Sequence, residues 1–126
     1  KNLDIKFAWV VNSEDGLDEI SPYAKTNVVQ LKDGKISEIL IDPKKLNIGA
    51  NKFNDLLGND AQFNATSILD IFKGKDNDFS KTVCLNAAAG LIVAEKHLIF
   101  NNAYNEARQH ILSGKAYENL KSIQNV

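Results

Sequence analysis

Asp33-Gly34 separates two β-rich runs, Thr26-Asn-Val-Val-Gln-Leu-Lys32 and Lys35-Ile-Ser-Glu-Ile-Leu-Ile41. A two-residue turn whose twist matches its flanking strands needs positive φ at both central residues, and Asp-Gly meets that need at little steric cost. The pair therefore commits the first third of the chain to a β-hairpin, which Pro43 ends. Ahead of it, residues 5–11 hold Ile5, Phe7, Ala8, Trp9, Val10 and Val11 with little polar alternation. A short, nearly continuous apolar run predicts a strand buried on both faces, as in sheets covered by helices.

After the hairpin the period changes. Residues 43–59 read as irregular, with one helical turn around Phe53–Leu57. From Asp60, the positions Ala61, Ala65, Ile68, Leu69 and Phe72 form one helical stripe that stops before Gly74. A second helix is predicted from Asp78 to Phe100, with its stripe on Phe79, Val83, Ala87, Leu91, Ala94 and Leu98. Its middle, Ala87-Ala-Ala-Gly90, is small on every side and predicts close approach of neighbouring backbones. From Asn101 to Gln124 the pattern predicts two helices meeting at Ser113-Gly114. Strands followed by helices, within 126 residues, give one α/β unit rather than two domains.

The formal net charge is -1 and the pI about 6.1, so no global field draws the chain to nucleic acid or an anionic membrane. The longest wholly apolar run, Ala87–Ala94, is far below the roughly 20 residues that span a bilayer. The single cysteine, Cys84, cannot form an internal disulfide and points to a reducing, cytoplasmic setting. The chain has no Met and opens straight into the apolar run. Termini usually lie at frayed surface positions, so the reading is a piece of a longer polypeptide.

Chemical potential concentrates in Glu14-Asp-Gly-Leu-Asp-Glu19, four carboxylates in six residues around one glycine. On a regular strand Asp18 and Glu19 would point to opposite faces. On a loop both can aim at one point and offer two hard oxygen ligands. Mg²⁺ is commonly held by one or two carboxylates plus waters and substrate phosphates. The commoner alternative is a solvated acidic loop. EF-hand spacing is not met. His97 and His110 lie 13 apart on different predicted helices, without the further ligands a zinc site needs. Cys84 reads as a small buried hydrophobe, and Trp9 as a core residue. Asn64-Ala-Thr66 matches a glycosylation sequon but falls within a predicted helix.

The order of these motifs resembles a known family. Val10-Val11, Glu14-Asp-Gly-Leu-Asp-Glu-Ile-Ser-Pro22, the Asp-Gly hairpin, Leu57-Gly-Asn-Asp-Ala-Gln-Phe-Asn-Ala65, Cys84-Leu-Asn-Ala-Ala-Ala89 and Ile111-Leu-Ser-Gly-Lys-Ala116 together are similar to the C-terminal part of the anthranilate phosphoribosyltransferases. The resemblance covers essentially the whole chain. It implies a fragment, 1–126, of the phosphoribosyltransferase/nucleoside phosphorylase-like α/β catalytic domain: part of a sheet, a β-hairpin and a C-terminal helical layer. It implies Mg²⁺-dependent transfer of a phosphoribosyl group from phosphoribosyl pyrophosphate to anthranilate in tryptophan biosynthesis. Asp18 and Glu19 inherit the family's metal-binding role, while no catalytic or further cofactor-binding residue is carried over. Nothing resembles a required general base.

The resemblance also implies what lies upstream. The family's helical N-terminal domain, through which it dimerises, its Gly-Thr-Gly-Gly-Asp loop and its Lys-His-Gly-Asn-Arg loop match no stretch of this sequence. The 126 residues alone are therefore expected to be inactive, with residues 5–11 pairing with upstream strands and an open sheet edge in their absence. Asn12-Ser13 stands where the family usually has His-Gly. Asn59 and Phe63 replace a Gly and a Glu of its Gly-Gly-Asp-Ala-x-Glu-Asn-Ala pattern. Asn86 and Asp60 match family positions and read as structural. Two other readings remain: a non-catalytic relative binding nucleic acid or another partner, which would need a basic groove, and an unrelated α/β scaffold domain with an acidic surface loop.

Overall fold

The computed structural model describes residues 4–50 and 56–124. Three strands, β1 (Phe7–Ser13), β2 (Thr26–Lys32) and β3 (Lys35–Ile41), precede four helices, α1 (Ala61–Phe72), α2 (Asp78–Val93), α3 (Phe100–Leu112) and α4 (Lys115–Gln124). The strands form an antiparallel meander in the order β1-β2-β3. Its register is fixed at one end by Asp33-Gly34: φ is 47° at Asp33 and 76° at Gly34, the left-handed pair that the turn demands. Trp9 then lies opposite Gln30, and Val11 opposite Val28. Most of the Phe53–Leu57 turn lies outside the described residues.

Alternation along the strands sorts side chains into two faces. Phe7, Trp9, Val11, Val28, Ile39 and Ile41 join the core cluster. The opposite face carries Val10, Val29, Ile36 and Leu40, with Val10 69% exposed. Burial of β1 on both faces is therefore not realised within this chain: α2 packs against one face, and no described element covers the other. β1 pairs only with β2, so its second edge is open among the described residues. Trp9 is partly buried rather than enclosed. Its ring stacks on Phe100 at 6.2 Å, and its indole N–H donates to Gln30 Oε1 at 3.0 Å.

α2 is the central helix. Asn77 and Ser80 form a capping box, the Ser80 N–H donating to Asn77 Oδ1 at 2.9 Å and the Asn77 N–H to Ser80 Oγ at 3.0 Å. Its fully buried positions are Ser80, Thr82, Cys84, Leu85, Ala88 and Ile92, one register away from the stripe read from sequence. Phe79, Val83 and Leu91 flank the core instead. The small residues are used on one side only. Ala88 meets the core beside Ala103 and Ala107 of α3, whereas a Cβ built on Gly90 would meet nothing within 4 Å.

The helix also ends earlier than expected, at Val93. Glu95 adopts φ 56°, the Glu95 N–H donates to Ile92 O at 3.0 Å, and the Lys96 N–H to Leu91 O at 2.9 Å. That pair of bonds satisfies the last carbonyls as a Schellman motif does. Ala94 and Leu98 thereby leave the helical stripe, and Leu98 is 89% exposed. His97 falls in the connection to α3 and pairs with Glu106.

α1 begins as expected, with the Phe63 N–H donating to Asp60 Oδ1 at 2.8 Å. Of its predicted stripe, Ala61 and Ala65 are exposed. Ile68 of that stripe is exposed too, and Ile71, outside it, is the residue α1 buries completely. Ser113-Gly114 separates α3 from α4, with Gly114 at φ 79°. Cys84 is 2% exposed, and burial pushes its thiol up to about 11, which makes it a packing residue and not a nucleophile. Among the described residues, no helix is long and apolar enough to cross a membrane.

Candidate metal-binding loop

Residues 14–25 connect β1 to β2 at the C-terminal end of β1. The loop starts as a tight turn. Ser13 N–H donates to Leu17 O at 3.0 Å, Gly16 N–H to Ser13 O at 3.0 Å, and Glu14 N–H to Lys25 O at 2.9 Å. Gly16 sits at φ 90°, a conformation open to glycine and strained for other residues. Ser13, where the resembled family has glycine, is 2% exposed and its hydroxyl donates to Lys25 O at 3.3 Å. The departure from the family pattern thus closes the mouth of the loop with a polar contact.

The four carboxylates have separate fates. Glu14 and Asp18 are exposed, while Asp15 and Glu19 are half-buried. Asp15 turns inward. Its Oδ2 accepts from the Ser21 hydroxyl at 2.5 Å and its Oδ1 from the Leu17 N–H at 3.4 Å. Burial alone would raise its pKa, but hydrogen bonds from Ser13, Ser21 and Leu17 together outweigh it and hold the carboxyl below its ordinary value. Ser21 is the hub of this half of the loop. It is 0% exposed, its hydroxyl accepts from the Tyr23 N–H at 3.0 Å, and its own N–H donates to Thr26 Oγ1 at 3.2 Å.

Glu19 is perturbed the other way. Burial raises its pKa, and the charges of Asp18 and Asp15 raise it further. Such a carboxylate gains from a neighbouring cation. Its described partner is the Asn86 amide of α2, whose Nδ2 lies 3.3 Å from Glu19 Oε2. The same amide reaches the Ile20 backbone. Asp18 and Glu19 are thus adjacent on a fixed loop, one facing solvent and one at the base. No group of three His, Cys, Asp or Glu side chains that could hold a metal is assembled among the described residues. Two hard oxygens with solvent on one side suit an ion that fills its shell with waters and phosphate oxygens, which is the habit of Mg²⁺.

His110 lies on α3, in the wall of a groove of about 490 Å³ with Val83, Leu91 and Ile111. Sequence reasoning singled out the acidic loop and gave Asn86 a structural role, but missed that Ser21, Thr26 and Asn86 hold the loop. For Asn86 a signal existed, a lone amide amid Leu85 and Ala87-Ala-Ala89.

An α/β unit with this acidic loop at a strand end has a match among known families. Residues 1–117 match the glycosyl transferase family, a/b domain, and the chain belongs to that family. Over 125 residues it is 82% identical to the anthranilate phosphoribosyltransferase of Pelagibacter ubique (strain HTCC1062), covering 99% of this chain and 38% of that protein. The crystal structure of the anthranilate phosphoribosyltransferase from Thermus thermophilus aligns with a TM-score of 0.82 at 26% identity, over 92% of this chain and 34% of that one. The Saccharomyces cerevisiae enzyme in complex with PRPP and Mg shares the fold, with a TM-score of 0.78 at 20% identity over 90% of this chain and 33% of that one. The chain therefore spans little more than a third of the length of these relatives.

Proposed function

We propose that residues 1–126 form the C-terminal portion of the catalytic α/β domain of an anthranilate phosphoribosyltransferase. In this reading Asp18 and Glu19 hold Mg²⁺ for phosphoribosyl pyrophosphate, and anthranilate is the acceptor. The observation that carries it is the 82% identity to the Pelagibacter enzyme, which runs through a loop whose geometry sets two adjacent acids at a strand end. Bound there, the cation would neutralise charge on the departing pyrophosphate.

The chain's own residues supply position and field. Asp18 and Glu19 concentrate negative charge where a phosphate-bound cation would sit. Asp15 is turned inward, where its oxygens accept from Ser21 and Leu17, so the cation is assigned to Asp18 and Glu19. No residue of the loop is placed as a proton acceptor, and the reaction we assign needs none from this segment. The grip on the sugar and on anthranilate falls to the part of the polypeptide outside these residues, which would also supply the dimer interface.

The test is a titration. The full polypeptide should convert anthranilate and phosphoribosyl pyrophosphate only with Mg²⁺ present, followed by the loss of anthranilate fluorescence. The 126-residue chain by itself should give no turnover. Equal rates with and without chelator would overturn the metal assignment, and robust turnover by the short chain would overturn its reading as a portion of the domain.

A further inference from the structure

We infer that Asn86 is a positioning residue that sets where the Glu19 carboxylate stands, an inference that rests on the metal-holding role given to Asp18 and Glu19. The Asn86 side chain crosses from α2 to the acidic loop and grips one residue from both sides. Its Oδ1 accepts from the Ile20 N–H at 2.9 Å, and its Nδ2 donates to Ile20 O at 3.2 Å. An amide that satisfies both the N–H and the C=O of one residue acts as a neighbouring β-strand would, fixing the height and the rotation of that peptide. Ile20 itself is 0% exposed, so its side chain anchors the same point in the core.

The amide is in turn fixed from its own helix. Nδ2 donates to Thr82 O at 2.9 Å, one turn earlier on α2. An –NH₂ has two hydrogens, and three acceptors surround this one: Thr82 O, Ile20 O and, farthest at 3.3 Å, Glu19 Oε2. The two main-chain acceptors suffice to use both hydrogens, so Glu19 can exchange its amide contact for a cation while they keep the loop in place. The peptide joining Glu19 to Ile20 is held by its N–H, so the position of Glu19 is inherited from α2. This is the arrangement expected of an outer partner that orients a metal-binding carboxylate, where substitutions typically weaken affinity about 10–100-fold.

The experiment measures Mn²⁺ binding by electron paramagnetic resonance in the full polypeptide with phosphoribosyl pyrophosphate, alongside the thermal midpoint and the KM for anthranilate. Asn86→Ala should weaken Mn²⁺ affinity about tenfold or more while leaving the KM for anthranilate unchanged. Asn86→Gln keeps the amide but displaces it by one methylene, and should weaken affinity by a smaller factor in a protein that folds. Where the alanine variant does not fold, the glutamine variant decides. Wild-type Mn²⁺ affinity in a folded variant overturns the inference, as does a uniform loss in which the anthranilate KM and the metal affinity decline together. Asp18→Asn with Glu19→Gln is measured in parallel. Unchanged affinity there defeats the metal assignment itself, whereas weakened affinity there with none at Asn86 defeats only the positioning role.

Discussion

The β2–β3 connection takes two residues, Asp33 and Gly34, while the β1–β2 connection runs from Glu14 to Lys25 at the opposite end of the same sheet. The short turn is exposed and solves a local problem with local means: two left-handed φ angles and a matching twist. The long loop buries Ser21 completely against Thr26 at the start of β2, turns a carboxylate inward and borrows an amide from a helix more than sixty residues away. Buried polar groups are costly unless each is partnered, and no buried side-chain nitrogen or oxygen among the described residues lacks a hydrogen-bond partner. A connection that only reverses the chain has no use for such a network. One that must hold two repelling acids in place does.

The contrast breaks most sharply at the acids. Asp18→Asn with Glu19→Gln should lower turnover of the full polypeptide by about a hundredfold or more, the scale of losing a preorganised charge-stabilising group. The thermal midpoint should hardly move, since neither side chain supports the core. A parallel loss of folding would show that the loop's acids are structural after all.

Ser21→Ala comes next. It removes the Asp15 Oδ2 donor and the hydroxyl that accepts from the Tyr23 and Ala24 N–H groups, and each lost hydrogen bond is worth about 0.5–1.5 kcal/mol. Denaturant midpoints should drop accordingly. The acid limb should change as well. Asp15 has a folded pKa below its ordinary 3.8, so its contribution is complete above that value and is lost as pH falls through the folded one. Thermal midpoints measured from pH 6 down to pH 2 should show this loss in the parent and a shallower one in the variant.

Gly34→Ala tests the other end. Forcing a Cβ into φ 76° costs about 1–2 kcal/mol, read as a lower midpoint, with metal affinity untouched. The smallest effect carries the opposite sign. Glu19 has a folded pKa raised by burial and by Asp18 and Asp15, so its ionised form opposes folding above that pKa and the penalty fades as pH falls through it. Without metal, Glu19→Gln should raise the thermal midpoint slightly at neutral pH. A fall instead would mean that the Asn86 contact outweighs the repulsion.

These two connections also mark how far the sequence could be read. Asp33-Gly34 announces its turn because the determinant is the φ preference of those two residues. The helix start at Asp60 and the break at Ser113-Gly114 are local in the same way. The acidic loop was legible as a place, and the two acids within it as an adjacent pair. What separates Asp15 from Asp18 was not, because it depends on which carboxylate meets Ser21. Nor was the Asn86 clamp, which joins residues 66 apart in the chain. The α2 stripe missed its register because the helix is apolar on most sides, so periodicity gave no unique face. The end of α2 was missed because its left-handed residue is Glu95, where glycine is the usual marker.

That choice at Glu95 has a further outcome. Its carboxylate meets Lys32 Nζ at 3.0 Å, from a side chain 64% exposed. A left-handed non-glycine residue loses about 1–2 kcal/mol, and an exposed ion pair returns about 0–1 kcal/mol, so stability alone would favour glycine here. What the acid adds is direction. Glycine would stop the helix equally well, whereas Glu95 also links the end of α2 to Lys32, at the hairpin end of β2. The helix that steadies the acidic loop through Asn86 is thereby tethered at both extremities of one strand pair, like a strut bolted to opposite sides of a frame.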